Sequence, residues 1–189
     1  MAGEIACRTE VYEVDVPVEE YVEQCVDVAE FLPYCKACEN YGKRWSCPEF
    51  SFDPEAYWRK YQTFHIVGVK IYVPEEMLDR AYTKGECREI SDRIMRTEKR
   101  RIAAWLLERE KEAPGSISLS AGYCLECGED ACARALGQSC RHPDRLRYSI
   151  ESLGGNVGLT VTKYLRQKLL WMEEGRLPEY FILVGGLLS

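Results

Sequence analysis

The sequence is short of positive charge. Lys and Arg total 25 against 31 Asp and Glu, a formal net charge of −6. That balance suits nucleic acid poorly, because phosphate contacts need clustered positive charge. No apolar run approaches the roughly 18–20 residues of a membrane span. The start, Met1-Ala2-Gly3-Glu4-Ile5-Ala6-Cys7, has neither the basic end nor the apolar core of a secretory signal. There is no internal repeat, no linker long enough to separate domains, and no Ser/His/Asp constellation or outstanding carboxylate pair. Nothing resembles a dedicated flavin or nicotinamide pocket. The glycine-rich stretch Gly154-Gly155-Asn156-Val157-Gly158 lacks the lysine of a P-loop and the full dinucleotide fingerprint, so it reads as a turn before a helix. These absences point to a cytoplasmic chain, one domain over residues 1–189, that binds neither membrane nor nucleic acid.

What is present is enough apolar residue, 46% of the 189, to bury a core without covalent staples. Residues 9–16 alternate, with Tyr12, Val14 and Val16 on one face, and predict a half-buried strand. Val18, Tyr21, Val22, Cys25 and Val26 recur at helical spacing, in a helix that Leu32-Pro33 should end. The β-branched and aromatic run from Phe64 to Val73 predicts a central strand stopped by Pro74. A long charged helix is expected from Glu86 to Glu112, with Cys87, Ile90, Ile94, Ile102, Trp105 and Leu106 inward. A short strand at Ser116–Ser120, helices near Asp144–Leu153 and Thr160–Glu173, and a buried strand at Tyr180–Leu188 complete the pattern. Strands interleaved with helices imply an α/β fold, with α+β as the variant: about four strands in a mixed sheet covered by helices.

Ten cysteines are the dominant feature. In a chain that is not exported they stay reduced, and their spacing reads as ligand spacing rather than as a disulfide framework. One loop, Gly122 to Pro143, carries Cys124, Cys127, Cys132 and Cys140, with irregular gaps of 2, 4 and 7 residues. A four-iron cluster is a cube whose irons each take one thiolate, and a compact winding loop suits that shape. Structural zinc loops more often repeat a Cys-x2-Cys pair after a longer spacer. The other loop, Tyr34 to about Pro54, carries Cys35, Cys38 and Cys47, the last followed at once by Pro48. Three thiolates are one short. Either a fourth ligand arrives from elsewhere, with Cys7, Cys25, Cys87 and His65 as candidates, or one iron is open to water or substrate. Cys25 and Cys87 fall on apolar helical faces, where buried thiols are commonly structural. The zinc alternative joins Cys35, Cys38, Cys124 and Cys127 in one tetrahedral site. Lys43, Arg44, Arg134, Arg141, Arg145 and Arg147 offset cluster charge, meet an anionic partner, or are simply solvated. His142 beside Pro143 reads as a loop residue.

The chain resembles domain-of-unknown-function family 2284, predicted metal-binding proteins. The resemblance rests on Cys35-x2-Cys38-x2-Tyr41-Gly42-Lys43-x-Trp45-x-Cys47-Pro48 and on Ala121-Gly122-x-Cys124-x2-Cys127. Cys140-Arg141-x-Pro143 and Tyr148-Ser149-Ile150-Glu151-Ser152-Leu153-Gly154 add to it. Family members commonly carry a second proline where this chain has Glu49. The resemblance implies metal binding and an anaerobic setting, which suits oxygen-sensitive clusters, and no established reaction. The resulting expectation is one or two [4Fe-4S] clusters on Cys35, Cys38, Cys47, Cys124, Cys127, Cys132 and Cys140, serving electron transfer to a redox partner protein. The alternatives are an enzyme with an open iron at the three-cysteine loop, and a zinc-stabilised interaction module.

Overall fold

The computed structural model describes residues 5–128, 131–173 and 175–189. The start of the chain, Met1 to Glu4, on which the signal-sequence reading rests, lies outside them, as do Glu129 and Asp130 of the second cysteine loop.

Among the described residues the chain forms four strands and six α-helices. Strand β1 (Arg8–Pro17) leads into helix α1 (Val18–Cys25) and helix α2 (Val28–Ala37). Helix α3 (Pro54–Trp58) precedes strand β2 (Thr63–Tyr72). Then come helix α4 (Glu75–Leu78), the long helix α5 (Lys84–Glu112), strand β3 (Ile117–Leu119), helix α6 (Val157–Lys163) and strand β4 (Tyr180–Leu188). The strands form one sheet in the order β1-β2-β4-β3. Where a mixture of strand senses was expected, all three pairings are antiparallel.

The period of two along β2 explains the layering. Phe64 and Ile66 face a core shared with Tyr21, Trp58, Leu153 and Val161. Val67, Val69 and Ile71 face a second core with Ile94, Ile102 and Leu106 of α5. Both faces of the sheet are therefore covered, and Phe64, Ile66 and Ile71 have no exposed surface. Each such side chain contributes about 1.5–3 kcal/mol by leaving water. Two aromatic polar groups of this core find partners: the Tyr21 hydroxyl lies 2.7 Å from Thr160 Oγ1, and Trp58 Nε1 donates to the Leu153 carbonyl at 3.1 Å. Gly68 leaves room for Leu165, whose Cδ1 a Cβ there would meet at 2.3 Å, so a larger residue would oblige Leu165 to shift. Helix α5 begins in a capping box, with Thr83 and Glu86 each serving the other's backbone N–H.

Several elements depart from the sequence pattern, for tertiary reasons. Helix α1 stops at Cys25 because Val26 bridges to Gly155 and the Asp27 N–H donates to the Gly154 carbonyl at 2.9 Å. Asp27 then caps α2 by accepting from the Glu30 N–H. Pro33 sits inside α2 rather than ending it, so Cys35 is helical and the loop proper starts at Cys38. The expected helix over 144–153 is replaced by two short 3₁₀ turns, Pro143–Arg145 and Glu151–Leu153. The stretch between them is drawn out beside Ser120, whose N–H donates to the Tyr148 carbonyl at 2.8 Å. Helix α6 starts at Val157, not Thr160, and is over by Lys163. Arg166, at φ 53°, turns the chain away. Trp105 is 36% exposed: the inner stripe of α5 runs through Ile94, Glu98, Ile102 and Leu106, and Trp105 stands one residue off it.

Candidate metal centre

The first cysteine loop grows out of α2. Cys35 lies in its last turn, and Cys38 caps it in extended backbone, its N–H donating to the Cys35 carbonyl at 3.0 Å. The chain then folds through tight turns, with the Tyr41 N–H donating to the Cys38 carbonyl and the Cys47 N–H to the Arg44 carbonyl, each at 3.1 Å. Gly42, at φ +66°, closes the loop by donating to the Pro48 carbonyl at 2.8 Å. Cys47 thus sits in a closed turn that follows Cys35 and Cys38, and both add to the rise of its thiol. Burial pushes the Cys47 thiol up to about 11, Ser46 opposes this, and Cys38 and Cys35 add to it. Cys35 is also raised, first by burial, then by Cys38 and by Glu151.

The second loop follows β3. Gly122, Gly128 and Gly137 all adopt positive φ and turn the chain repeatedly. Cys124, Cys127, Cys132 and Cys140 line a single cavity of about 20 Å³, and the opposite wall is the first loop's Arg44, Trp45 and Ser46. Glu126, His142 and Leu146 complete it. Burial raises the Cys124 thiol; a backbone hydrogen bond opposes this, and Glu126, Cys127 and Cys140 reinforce it. Thiols held up in this way keep their protons until a metal displaces them.

The two loops are locked together. The Arg134 guanidinium, between Cys132 and Cys140, donates to three first-loop carbonyls: Arg44 at 2.9 Å, Cys47 at 2.5 Å and Glu49 at 2.6 Å. Trp45 Nε1 donates back to the Gln138 carbonyl at 3.1 Å, and the Cys124 N–H donates to the buried Ser46 hydroxyl at 3.1 Å. Arg44 stands over the Tyr123 ring, 4.3 Å from its centroid. Arg147 fixes the exit of the second loop to α5 through a two-pronged pair with Glu110, at 2.7 and 2.5 Å, and Glu110 also accepts from the N–H and hydroxyl of Ser118. Arg134, Arg145 and Arg147 therefore have defined partners instead of being merely solvated.

The four candidates for a missing ligand lie elsewhere. Cys25 is 3% exposed in the core beside Thr160 and Tyr164, and Cys87 is 4% exposed in the core under α5. Cys7 is half-buried near Glu98. His65 Nδ1 lies 2.7 Å from Asp15 Oδ1 on β1. Sequence reasoning gave no role to Glu151, which with Cys35 lines a cavity of about 300 Å³.

As a donor set, four thiols around one cavity suit a soft metal or an iron–sulphur cluster. Among the described residues, no group of three or more His, Cys, Asp or Glu is set closely enough to hold a single ion. No described helix is long and apolar enough to cross a membrane. No curated protein and no solved structure matches the chain. One family model does, over residues 22–188, a span that takes in both cysteine loops and the sheet beyond them, and the chain accordingly belongs to the family described as "Predicted metal-binding protein (DUF2284)".

Proposed function

We propose that this protein is an iron–sulphur electron carrier with one four-iron cluster at each cysteine loop. The observation that carries the reading is the cavity ringed by Cys124, Cys127, Cys132 and Cys140, whose far wall is the other cysteine loop. Four thiols around one space match the four irons of a cube. The gap of about 20 Å³ admits about one water-sized sphere. The loop whose cysteines would hold the cluster turns at Gly122, Gly128 and Gly137, all at positive φ.

When bound, such a cluster stores and releases one electron at modest structural cost. The chain's own residues do the rest. Cys35, Cys38 and Cys47 hold the first-loop site, and Arg44 and Arg134 place positive charge between the loops, against the negative charge of thiolate-bound iron. The Trp45, Ser46 and Arg134 contacts keep the sites a fixed distance apart, which suits passage of an electron from one to the other and on to a redox partner protein. The reading places the protein in a reducing compartment, the cytoplasm. The cavity that Cys35 lines favours a second reading, in which the three-cysteine site also binds a small molecule at iron.

The test is single substitution in the second loop of anaerobically prepared protein. Cys132→Ala or Cys140→Ala should each lose about one cluster's iron and sulphide. Full iron content and unchanged spectra in both variants would defeat the four-ligand assignment.

A further inference from the structure

We infer that the cavity between α5 and the second cysteine loop is a binding site for a small monocarboxylic acid with an apolar body, its carboxylate held by Lys99. Such a site goes beyond the electron-carrier reading and needs no cluster.

Lys99, Ala103 and Leu107 stand four residues apart on α5 and so share one face of the helix. Opposite them run Ala121, Tyr123, Cys124 and Leu125, and the space between the two walls is about 350 Å³. That size falls within the range of small-molecule sites. Lys99 is half-buried there. Its ammonium lies against the loop backbone, where a Cβ on Gly122 would stand 3.2 Å from Nζ, and is 5.4 Å from the Tyr123 ring centroid. Gly122, at φ +79°, therefore both turns the loop and leaves the room in which the ammonium sits.

The charges on the walls are unequally matched. Arg147 is taken up by Glu110, and Arg145 by Glu126, the one carboxylate lining the space. Lys99 and Arg100 line it too, and among the described residues neither has an ion pair. Arg100 is exposed to water, which leaves Lys99 as the cation the cavity itself holds. Burial keeps its ammonium below the usual lysine value; Glu151 and Asp92 oppose this from outside the cavity, and Arg96 adds to it. Bulk water serves this cation poorly, and a carboxylate can replace what it has lost. The hydroxyls on the walls are already engaged, Ser118 donating to Glu110 and Ser120 to the Gly122 carbonyl. A phosphate dianion calls for a cradle of several free donors. The walls instead offer Ala103, Leu106, Leu107 and Leu125. One cation beside an apolar surface fits a single carboxylate on an apolar body.

The experiment is calorimetric titration of full-length, anaerobically prepared protein with hydrocinnamate, its neutral counterpart hydrocinnamyl alcohol, and inorganic phosphate. Lys99→Met removes the charge and keeps much of the side chain's length. Ala103→Phe fills the cavity from a partly exposed position, and Lys168→Met removes an exposed lysine outside it. The parent and Lys168→Met should bind about one equivalent of hydrocinnamate with equal affinity, and the alcohol at least about tenfold more weakly. Lys99→Met should bind the acid at least about tenfold more weakly than the parent and no longer distinguish it from the alcohol. Ala103→Phe should bind neither, and phosphate should not compete. Because acid, alcohol and phosphate are compared on the parent alone, the test stands whether or not a variant folds. No binding of hydrocinnamate by the parent, equal binding by folded Lys99→Met, or competition by phosphate at equal concentration would each overturn the assignment.

Discussion

Arg134 is the tie between the two cysteine loops, and removing it should have a cost that can be worked out in advance. Its guanidinium donates to three carbonyls 85 to 90 residues away along the chain and stands 5.1 Å from the Trp45 ring centroid. Hydrogen bonds to a charged group contribute about 1.5–3 kcal/mol each. Arg134 is only half-buried, so water can re-solvate some of what Ala would leave. The lower end is therefore the proper one, reduced again for exposure: about 2–3 kcal/mol for the three bonds, with about 0.5–1 more for the ring contact. We expect Arg134→Ala to cost about 3 kcal/mol, a drop in Tm of about 6–12 °C for a chain of this size. Arg134→Lys keeps the charge but cannot span three acceptors with one ammonium, so it should recover about 1 kcal/mol at most. The assay is anaerobic denaturation of metal-loaded protein followed by tryptophan fluorescence, with iron counted after challenge by a chelator. First-loop iron should leave faster in both variants. An unfolding free energy within about 0.5 kcal/mol of the parent for Arg134→Ala would refute the reasoning.

Glu110 and Arg147 are both nearly buried, with side chains 12% and 13% exposed, and burial alone would raise the Glu110 carboxyl; hydrogen bonds from Arg147 and Ser118 outweigh it and hold the group below the usual carboxylate range. Its stabilisation is therefore full above that range and lost as pH falls through the depressed value. Glu110→Gln should cost about 3–5 kcal/mol at neutral pH and flatten the acid limb of a urea-unfolding profile; an unaltered acid limb would contradict this. Cys25→Ala and Cys87→Ala should each cost about 1–2 kcal/mol and leave iron content unchanged; loss of iron from either would identify it as a ligand. In metal-free protein Cys47, pushed up to about 11, should react slowly with iodoacetamide and speed up steadily as pH rises toward that value; rapid labelling at neutral pH would contradict its buried setting.

Much of the frame was legible because local pattern and tertiary need coincide there. Tyr12, Val14 and Val16 alternate inward on β1, the run Phe64 to Val73 is the central β2 bar its last residue, and Cys87, Ile94, Ile102 and Leu106 mark the stripe of α5. Two of the misreadings come from contacts distant in sequence. The break after Cys25 is made by Gly154 and Gly155, more than a hundred residues downstream, which no local periodicity can announce. The helical spacing within 144–153 is overridden by Arg147 reaching Glu110 and by Ser120 pairing with the backbone at Tyr148. At the candidate site, spacing singled out the seven loop cysteines, but it could not tell that Arg44, Trp45 and Ser46 would wall the second loop's cavity. Glu151 lay in plain view within Ser149-Ile150-Glu151-Ser152. That it lines one cavity with Cys35 became visible only in the fold.

The central claim, iron–sulphur clusters on these thiols, is tested most directly by metal and sulphide analysis of protein made anaerobically with iron supplied. The account predicts a brown protein with broad absorption near ~400 nm, and iron and acid-labile sulphide in about equal amounts, about eight of each per chain. A colourless protein holding about one tightly bound zinc and no sulphide would contradict it.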